Sequence, residues 1–280
     1  MAENSKIAWT VHTFNPWIGC QKVSPGCDNC YAEAQNAFRK WNGGTWGPHA
    51  PRSRTSEDYW KKPLKWNAKA RAFKREFGHR PRVFCASLAD VFDNQVPASW
   101  RQDLFALIRE CRRLDWLLLT KRPQNIVKML PVDWGDGYAN VWLGVTAEEQ
   151  AHFDQRWKYL RKIPARIKFI SYEPALGPLR LPPNGPFPDW LISGGESGGG
   201  ARPIQPRWVR DIIADCRHHG VVHFHKQWGT YRSNPLVTEQ GMSVKEAKAL
   251  DTFEKGGALI DGQLVREYPA RRNSTNRDAA

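Results

Sequence analysis

The sequence predicts an α/β fold, a full or partial (β/α) TIM-like barrel of parallel strands with a basic insertion after the first unit and a small C-terminal helix and hairpin extension. The main observation is a series of short, nearly continuous apolar runs, at 82–87, 115–120, 141–146, 167–171, 190–194 and 221–225. Runs of this length and composition are typical of strands that are buried on both faces, and hence of a parallel sheet.

Helical patterns separate several of these strands, at 99–113, 147–162 and 206–219. With a first strand near residues 9–14, the alternation amounts to about seven βα units, which favours a barrel. A doubly wound open sheet is the alternative. No Gly-x-Gly-x-x-Gly motif lies at a strand–helix junction to support that alternative.

We expect residues 1–230 to form the barrel and residues 231–280 to form the extension. The extension carries a helical pattern at 244–253, a hairpin pattern at 258–265 around Asp261 and Gly262, and an end at 271–280 that we expect to be disordered. Within the barrel, the insertion at 39–81 interleaves Lys and Arg with Trp. This pattern favours a nucleic-acid groove, and a solvated loop with a helix at 67–77 is the alternative.

The charge balance points to a polyanionic partner. The 280 residues include 42 Lys and Arg against 28 Asp and Glu, which makes a net charge of +14. Nucleic acid is the simplest such partner, and a merely solubilising basic surface is the alternative. The polar start of the chain lacks a secretory segment, and no run approaches the roughly 18 apolar residues of a membrane span. We therefore expect a protein of the reducing cytoplasm without a membrane partner.

Three cysteines form the most informative motif. Cys20, Cys27 and Cys30 follow a C-x6-C-x2-C spacing, and Tyr31 comes directly after the last of them. Three thiolates on one short loop are typical of a metal or cluster site, and three ligands leave one coordination position open for chemistry. Two alternatives remain at this point. One is a structural Cys3His zinc site completed by His12 or His49, and the other is a disulfide pair or unligated thiols.

Polar side chains follow every predicted strand. Because the carboxyl ends of the strands of a parallel barrel form one face, we expect these groups to converge there with the cysteine loop. Lys121 and Arg122 are suited to a carboxylate or phosphate, and Glu196 in the Gly-rich stretch 193–200 is suited to an ammonium group or ribose hydroxyls. The residues at the strand ends are Ser87, Asp90, Thr120, Lys121, Arg122, Thr146, Glu148, Tyr172, Glu173, Gly194, Gly195, Glu196, Lys226 and Gln227.

These motifs together resemble the radical S-adenosylmethionine superfamily. More closely, the chain resembles the phage-associated, radical-SAM-like family of unknown function with a three-cysteine motif. The similarity spans about residues 8–268 and is carried by the segments 14–16, 19–20, 25–27, 30–33, 87–92, 119–123, 142–146, 171–174, 194–198, 201–203 and 226–229. The first cysteine gap is six residues rather than the superfamily's usual three, and Gly-Gly-Glu follows the sixth strand rather than the second.

The resemblance implies a 4Fe–4S cluster on Cys20, Cys27 and Cys30, with S-adenosylmethionine on the open iron. Cleavage of that molecule by the reduced cluster would yield methionine and a 5′-deoxyadenosyl radical, and the electron would come from a reductant such as flavodoxin or ferredoxin. For the cofactor we predict contacts from Tyr31, Ser87, Asp90, Thr120, Lys121, Thr146, Glu148, Glu173, Gly194, Gly195 and Glu196. For the substrate we predict contacts from Arg122, Lys226, Gln227, Arg52, Arg54, Lys61 and Lys62.

The sequence therefore leads to three functional hypotheses. The first is a radical-SAM-type iron–sulfur enzyme that modifies or repairs a nucleic acid or nucleotide. The second is a non-catalytic, zinc-stabilised nucleic-acid-binding protein. The third is a radical-SAM enzyme that acts on a small metabolite.

Overall fold

A computed structural model of the chain describes residues 3–270. Within this range, seven parallel strands form one sheet that curls into a half-barrel, and the fold prediction is confirmed. The sheet consists of β1 (His12–Thr13), β4 (Arg82–Cys85), β5 (Asp115–Thr120), β6 (Val141–Thr146), β7 (Ile167–Tyr172), β8 (Trp190–Gly194) and β9 (Val222–Gln227), in that spatial order. Because neighbours in space are also consecutive in the chain, the sheet has no reversal point and the doubly wound alternative is wrong.

Helices connect and follow the strands of the sheet. They are α1 (Tyr31–Arg39), α2 (Glu57–Trp60), α3 (Lys62–Phe77), α4 (Ala98–Glu110), α5 (Ile126–Met129), α6 (Gln150–Leu160), α7 (Pro206–His218), α8 (Pro235–Thr238) and α9 (Val244–Leu250). Two short antiparallel pairs lie outside the sheet, β2 (Trp17–Ile18) with β3 (Ser53–Arg54), and β10 (Leu259–Ile260) with β11 (Gln263–Leu264). No helix within residues 3–270 has both the length and the apolar character needed to cross a membrane.

Alternation along the strands divides the buried side chains into two cores. Outward residues of the sheet pack with the helices in the larger core. Inward residues fill the concave side with large rings and aliphatic groups, namely Trp9, Phe84, Leu117, Trp142, Ile167, Phe169, Trp190, Ile192 and Phe224. The ring of Phe169 lies so close to Gly144 that a Cβ atom at position 144 would overlap the ring, and glycine is therefore required. The open space of the half-barrel described here therefore lies near the carboxyl ends of the strands.

The basic segment 39–81 contains the helix that precedes the second strand of the sheet. Helix α3 begins at Lys62, five residues earlier than the helix expected from the sequence, and it connects towards β4. Its buried side includes Trp66 and Ala70, which belong to the larger core. The residues of this segment that precede α3 are additional to an ordinary βα unit. They include β3, which pairs with β2 from the earlier part of the chain.

The C-terminal extension returns to the barrel. The expected hairpin is present, and Asp261 and Gly262 both have positive φ, of 50° and 76°, as a tight two-residue turn requires. Beyond it, the N–H of His225 donates to the carbonyl of Val265 at 2.8 Å, which covers the edge of β9. Tyr268 then packs against Trp190, with ring centroids 5.5 Å apart. The end that we expect to be disordered, residues 271–280, lies outside the described residues.

Candidate functional site

A cavity of about 480 Å³ opens at the carboxyl ends of the strands. All three cysteines of the motif line it, together with most of the residues that the sequence placed at strand ends. Those that line it are Tyr31, Ser87, Asp90, Thr120, Lys121, Arg122, Thr146, Glu173, Lys226 and Gln227. The floor is made by inward positions one step above the aromatic layer, including Ala86, Leu119 and Ser171. The topology of the half-barrel therefore brings the cysteine loop and the strand ends to one place.

The cysteine loop passes over this cavity as an irregular segment with one short turn at Pro25–Cys27. Cys30 is the N-terminal cap position of α1, and none of the three thiols is fully buried or fully exposed. Few backbone hydrogen bonds hold the loop, so its position depends on side chains from the strand ends. Three separate contacts supply that support.

Glu148 forms the first support. Its buried carboxylate accepts a hydrogen bond from Ser24 at 2.8 Å and is paired with Arg156, also at 2.8 Å. Gly26 packs directly against the same carboxylate, since a Cβ atom at this glycine would stand 2.5 Å from Cγ of Glu148. Within the described residues Glu148 does not line the cavity. Its role in this structure is to hold the loop, whereas we predicted a contact with the cofactor.

Glu196 forms the second support, with Arg202. Arg202 donates to Glu196 at 2.6 Å, contacts Asp28 at 3.3 Å and donates to the carbonyl of Pro25 at 2.8 Å. Asn29 also donates to Glu196, at 2.9 Å. Burial alone would raise the pKa of Glu196, but the hydrogen bonds from Arg202 and Asn29 lower it below its ordinary value. Glu196 of the Gly-Gly-Glu motif thus contacts the segment between Cys27 and Cys30 through Asn29. Its carboxylate already accepts hydrogen bonds from Asn29 and Arg202.

Arg122 forms the third support. Its guanidinium donates to Asp90 at 2.9 Å and to the carbonyl of Gln21 at 3.0 Å, and it lies 3.6 Å from the sulfur of Cys20. Asp90 also accepts a hydrogen bond from the Thr120 hydroxyl, whose oxygen lies 2.7 and 2.9 Å from the two carboxylate oxygens. Burial raises the pKa of the Cys20 thiol to about 11, and the Arg122 charge opposes that rise. A metal that binds Cys20 would therefore displace a proton from the thiol.

A second group of polar residues also lines the cavity. The ammonium of Lys226 is 2.9 Å from the carboxylate of Glu173, which also accepts hydrogen bonds from Ser171 at 3.2 Å and Trp9 at 3.3 Å. Lys121 is 3.5 Å from the hydroxyl of Thr146 and has no carboxylate partner within residues 3–270. The cavity therefore presents the Lys121 ammonium group, which has no carboxylate partner within residues 3–270, and the Glu173 carboxylate, which pairs with Lys226 and accepts hydrogen bonds from two neutral donors.

Several predicted contacts lie elsewhere. Arg52 is buried against Asp93 at 2.8 Å, so its charge is used inside the protein. Arg54, Lys61 and Lys62 lie on the outer side near α2 and α3 and do not line the cavity. Gly194 and Gly195 do not line the cavity either. Because they have no side chain, Gly194 packs closely against Glu173, and Gly195 packs closely against the main chain of Trp228.

Sequence reasoning missed some residues of the cavity wall. Trp9, Ser171 and Trp46 line it, and so does Lys255 from the C-terminal extension. Ser171 sits at an inward position near the end of β7, so the period-2 pattern of the strand was a signal that could have found it. Lys255 lies far along the chain, and no local pattern indicates that its loop returns to the barrel.

The donor set fits a cluster better than a single zinc ion. Within residues 3–270, no three Cys, His, Asp or Glu side chains converge closely enough to hold one metal ion. His12 stacks on Trp66 with ring centroids 4.4 Å apart, and burial lowers its pKa to about 4; neither it nor His49 lines the cavity. In a 4Fe–4S cluster each thiolate binds a different iron, so the thiols must line one cavity without meeting at a point. The three cysteines meet that requirement.

Gly26 offers a direct test of the support by Glu148. We expect Gly26→Ala to push the turn away from the buried carboxylate, because the added methyl group has no space. Overpacking of this kind costs about 1–3 kcal/mol, and we expect the free energy of unfolding to fall by that amount. Chemical denaturation of the purified protein measures this change. The matched control is Gly199→Ala, since a Cβ atom there meets nothing within 4 Å; an equal loss in both variants would contradict the close packing of Gly26.

Comparisons with known proteins identify a family and two solved structures. The family described as "protein of unknown function (DUF5131)" matches residues 4–269. No curated protein matches the chain. One similar structure is a cysteine-to-serine mutant of spore photoproduct lyase, with 13% identity, a TM-score of 0.43, and coverage of 75% of this chain and 61% of that one.

The other is a double mutant of the same enzyme with bound AdoMet and dinucleoside spore photoproduct. It shows 11% identity, a TM-score of 0.39, and coverage of 77% of this chain and 52% of that one. The chain thus spans less than two thirds of the length of either structure.

Proposed function

We propose that this chain, which belongs to the family described as protein of unknown function (DUF5131), is a radical-SAM-type iron–sulfur enzyme that modifies or repairs a nucleic acid or nucleotide. One observation carries the proposal: three thiols from a single loop share a cavity with the polar strand ends of a parallel half-barrel. Sites at the carboxyl ends of parallel strands are where barrel enzymes place their chemistry. The three-cysteine motif supports an iron–sulfur cluster as the group that this cavity would hold.

Cys20, Cys27 and Cys30 would bind three irons as thiolates and leave the fourth iron open. When bound, a reduced cluster and S-adenosylmethionine supply a 5′-deoxyadenosyl radical that removes a hydrogen atom from the substrate. The protein would contribute in two ways: it would position the cofactor, and it would exclude water from the site. The aromatic layer below the cavity serves the second purpose, because its buried rings pack against one another beneath the site.

The polar groups of the cavity match the charged ends of S-adenosylmethionine. Lys121 can bind a carboxylate, since its ammonium group has no carboxylate partner within residues 3–270. Glu173 can bind an ammonium group, and its hydrogen bonds from Trp9 and Ser171 hold the carboxylate in place. Glu148 and Glu196 would not contact the cofactor. They would hold the cysteine loop in place through Ser24 and Asn29.

Charge and aromatic surface support a nucleic-acid substrate. The net charge is +14, and Lys61, Lys65 and Lys69 form an exposed stripe along the outer side of α3. Tyr31 and Trp46 line the cavity beside the cysteines, and aromatic rings at such a place can stack on an unpaired base. A base extruded from its stack would bring the reacting atom into the cavity.

The test of this proposal is the iron and sulfide content of anaerobically purified protein, with the electron paramagnetic resonance spectrum of the dithionite-reduced sample. We expect about four irons per chain, as a single 4Fe–4S cluster requires, and a signal that changes when S-adenosylmethionine is added. A flavodoxin or ferredoxin should replace dithionite as electron donor. A colourless protein that contains zinc, or a cluster whose signal ignores S-adenosylmethionine, would overturn the proposal.

A further inference from the structure

The three thiols of the cysteine loop differ in their surroundings. The sulfur of Cys20 lies 3.6 Å from a guanidinium nitrogen of Arg122. Within residues 3–270, neither Cys27 nor Cys30 has a side-chain hydrogen bond to its sulfur. Arg122 is 5% exposed at its side chain, so its charge is little screened by water. The loop therefore places a buried cation at one thiol of the three.

The guanidinium is held rigidly in this position. One nitrogen is shared between Cys20 and Asp90, and the other donates to the carbonyl of Gln21. Asp90 is fixed in turn by the Thr120 hydroxyl and by the N–H groups of Lys121 and Phe92. An arginine keeps its proton under all ordinary conditions, so this is a permanent charge.

We propose that Arg122 is a positioning residue that sets the reduction potential of the cluster through Cys20, with Asp90 as its counter-charge; this rests on the function proposed above. Hydrogen bonds and charges at cluster sulfurs are established determinants of cluster potential. Reduction adds one negative charge to the cluster. A fixed cation beside a ligating thiolate stabilises the reduced form and raises the potential, whereas the carboxylate behind it acts in the opposite direction.

The two residues of the pair thus have effects of opposite sign. Removal of the Arg122 charge lowers the potential, because it takes away the cation and leaves Asp90 without its partner. Removal of the Asp90 charge raises the potential, because the guanidinium then acts on Cys20 without a counter-charge. A role limited to holding the loop would not produce this reversal, since both changes would loosen the same support.

The experiment is a potentiometric titration of the cluster, followed by the paramagnetic signal of its reduced form, in wild type, Arg122→Gln and Asp90→Asn. At a fixed potential we expect the ratio of reduced to oxidised cluster to fall about tenfold in Arg122→Gln and to rise in Asp90→Asn. A tenfold change corresponds to about 59 mV for a one-electron couple. Arg122→Lys keeps the charge and should remain closer to wild type than Arg122→Gln.

Arg101→Gln is the matched control. Arg101 is a second buried arginine, and within residues 3–270 its hydrogen bonds go to the main-chain carbonyls of Val91, Asp93 and Val96 rather than to Asp90 or Cys20. Its charge also acts on Asp90, so we expect its loss to shift the potential less than the loss of Arg122 does. A wild-type potential in Arg122→Gln, or shifts of the same sign in Arg122→Gln and Asp90→Asn, would overturn the inference while the proposed function stands.

Two further outcomes are decisive. If Arg122→Gln folds but retains no iron, the test depends on the reduction potential of Asp90→Asn. A potential equal to or below that of wild type in Asp90→Asn contradicts the inference. A wild-type protein that takes up no iron under anaerobic reconstitution overturns the proposed function, and the inference with it.

Discussion

Cys27→Ala is expected to abolish cluster binding, with iron content falling from about four atoms per chain to nearly none. Cys27 ends the short turn Pro25–Cys27 and lines the cavity with the other two thiols. With only two thiolates left on the loop, the proposed cluster would lose one of its three cysteine ligands. Iron and sulfide analysis after anaerobic reconstitution measures the effect, together with the absorbance near 400 nm.

Cys111→Ala is the control for this prediction. Cys111 is a free thiol buried in the larger core, away from the cavity, so its loss removes a cysteine without touching the loop. We expect this variant to keep its iron content. Full iron in Cys27→Ala, or equal losses in both variants, would contradict the assignment of the cluster to the motif.

The second large effect is expected on nucleic-acid binding when three lysines of α3 are replaced by glutamine. In binding to duplex DNA, each lysine that neutralises a phosphate contributes about 0.9 to the slope of log K against log salt, so the triple variant should lose up to about 2.7 of that slope. The lysines are Lys61, directly before α3, and Lys65 and Lys69 within it, and all three side chains are exposed. Binding isotherms at several salt concentrations measure the slope.

The control removes the same charge from another helix. Lys158, Arg161 and Lys162 are exposed at the end of α6, so replacement of all three by glutamine changes the net charge equally. We expect this control to retain most of the wild-type slope. Equal slopes in the two triple variants would show that binding depends on total charge alone, and the α3 stripe would no longer be the nucleic-acid surface.

Local patterns in the sequence were sufficient for most of the fold. The apolar runs became the strands β4 to β9, because a segment of continuous apolar residues must be covered on both faces. The helix of the basic segment was harder to place, since its many charged residues obscure the two buried positions Trp66 and Ala70. The return of residues 265–268 to the sheet edge was not predicted, because it pairs segments about 40 positions apart.

For the candidate site, the residue types were predictable and their partners were not. Thr120, Lys121 and Glu173 line the cavity, as the topology of a parallel barrel implies for residues at strand ends. Glu148 and Glu196 instead contact the cysteine loop, and Arg52 is buried against Asp93. A carboxylate at a strand end can bind a cofactor or accept hydrogen bonds from a loop. Which of the two it does depends on where the loop runs.

The sequence by itself determined that this protein has parallel strands, a loop of three cysteines and polar groups at the strand ends, because each of these depends on spacing within a short segment. Only the tertiary structure decided which side chains support that loop. Ser24 meets Glu148 across 124 positions and Cys20 meets Arg122 across 102. Such contacts depend on how the whole sheet curls, since burial of its concave side brings distant strand ends together, and no local pattern of residues records that curvature.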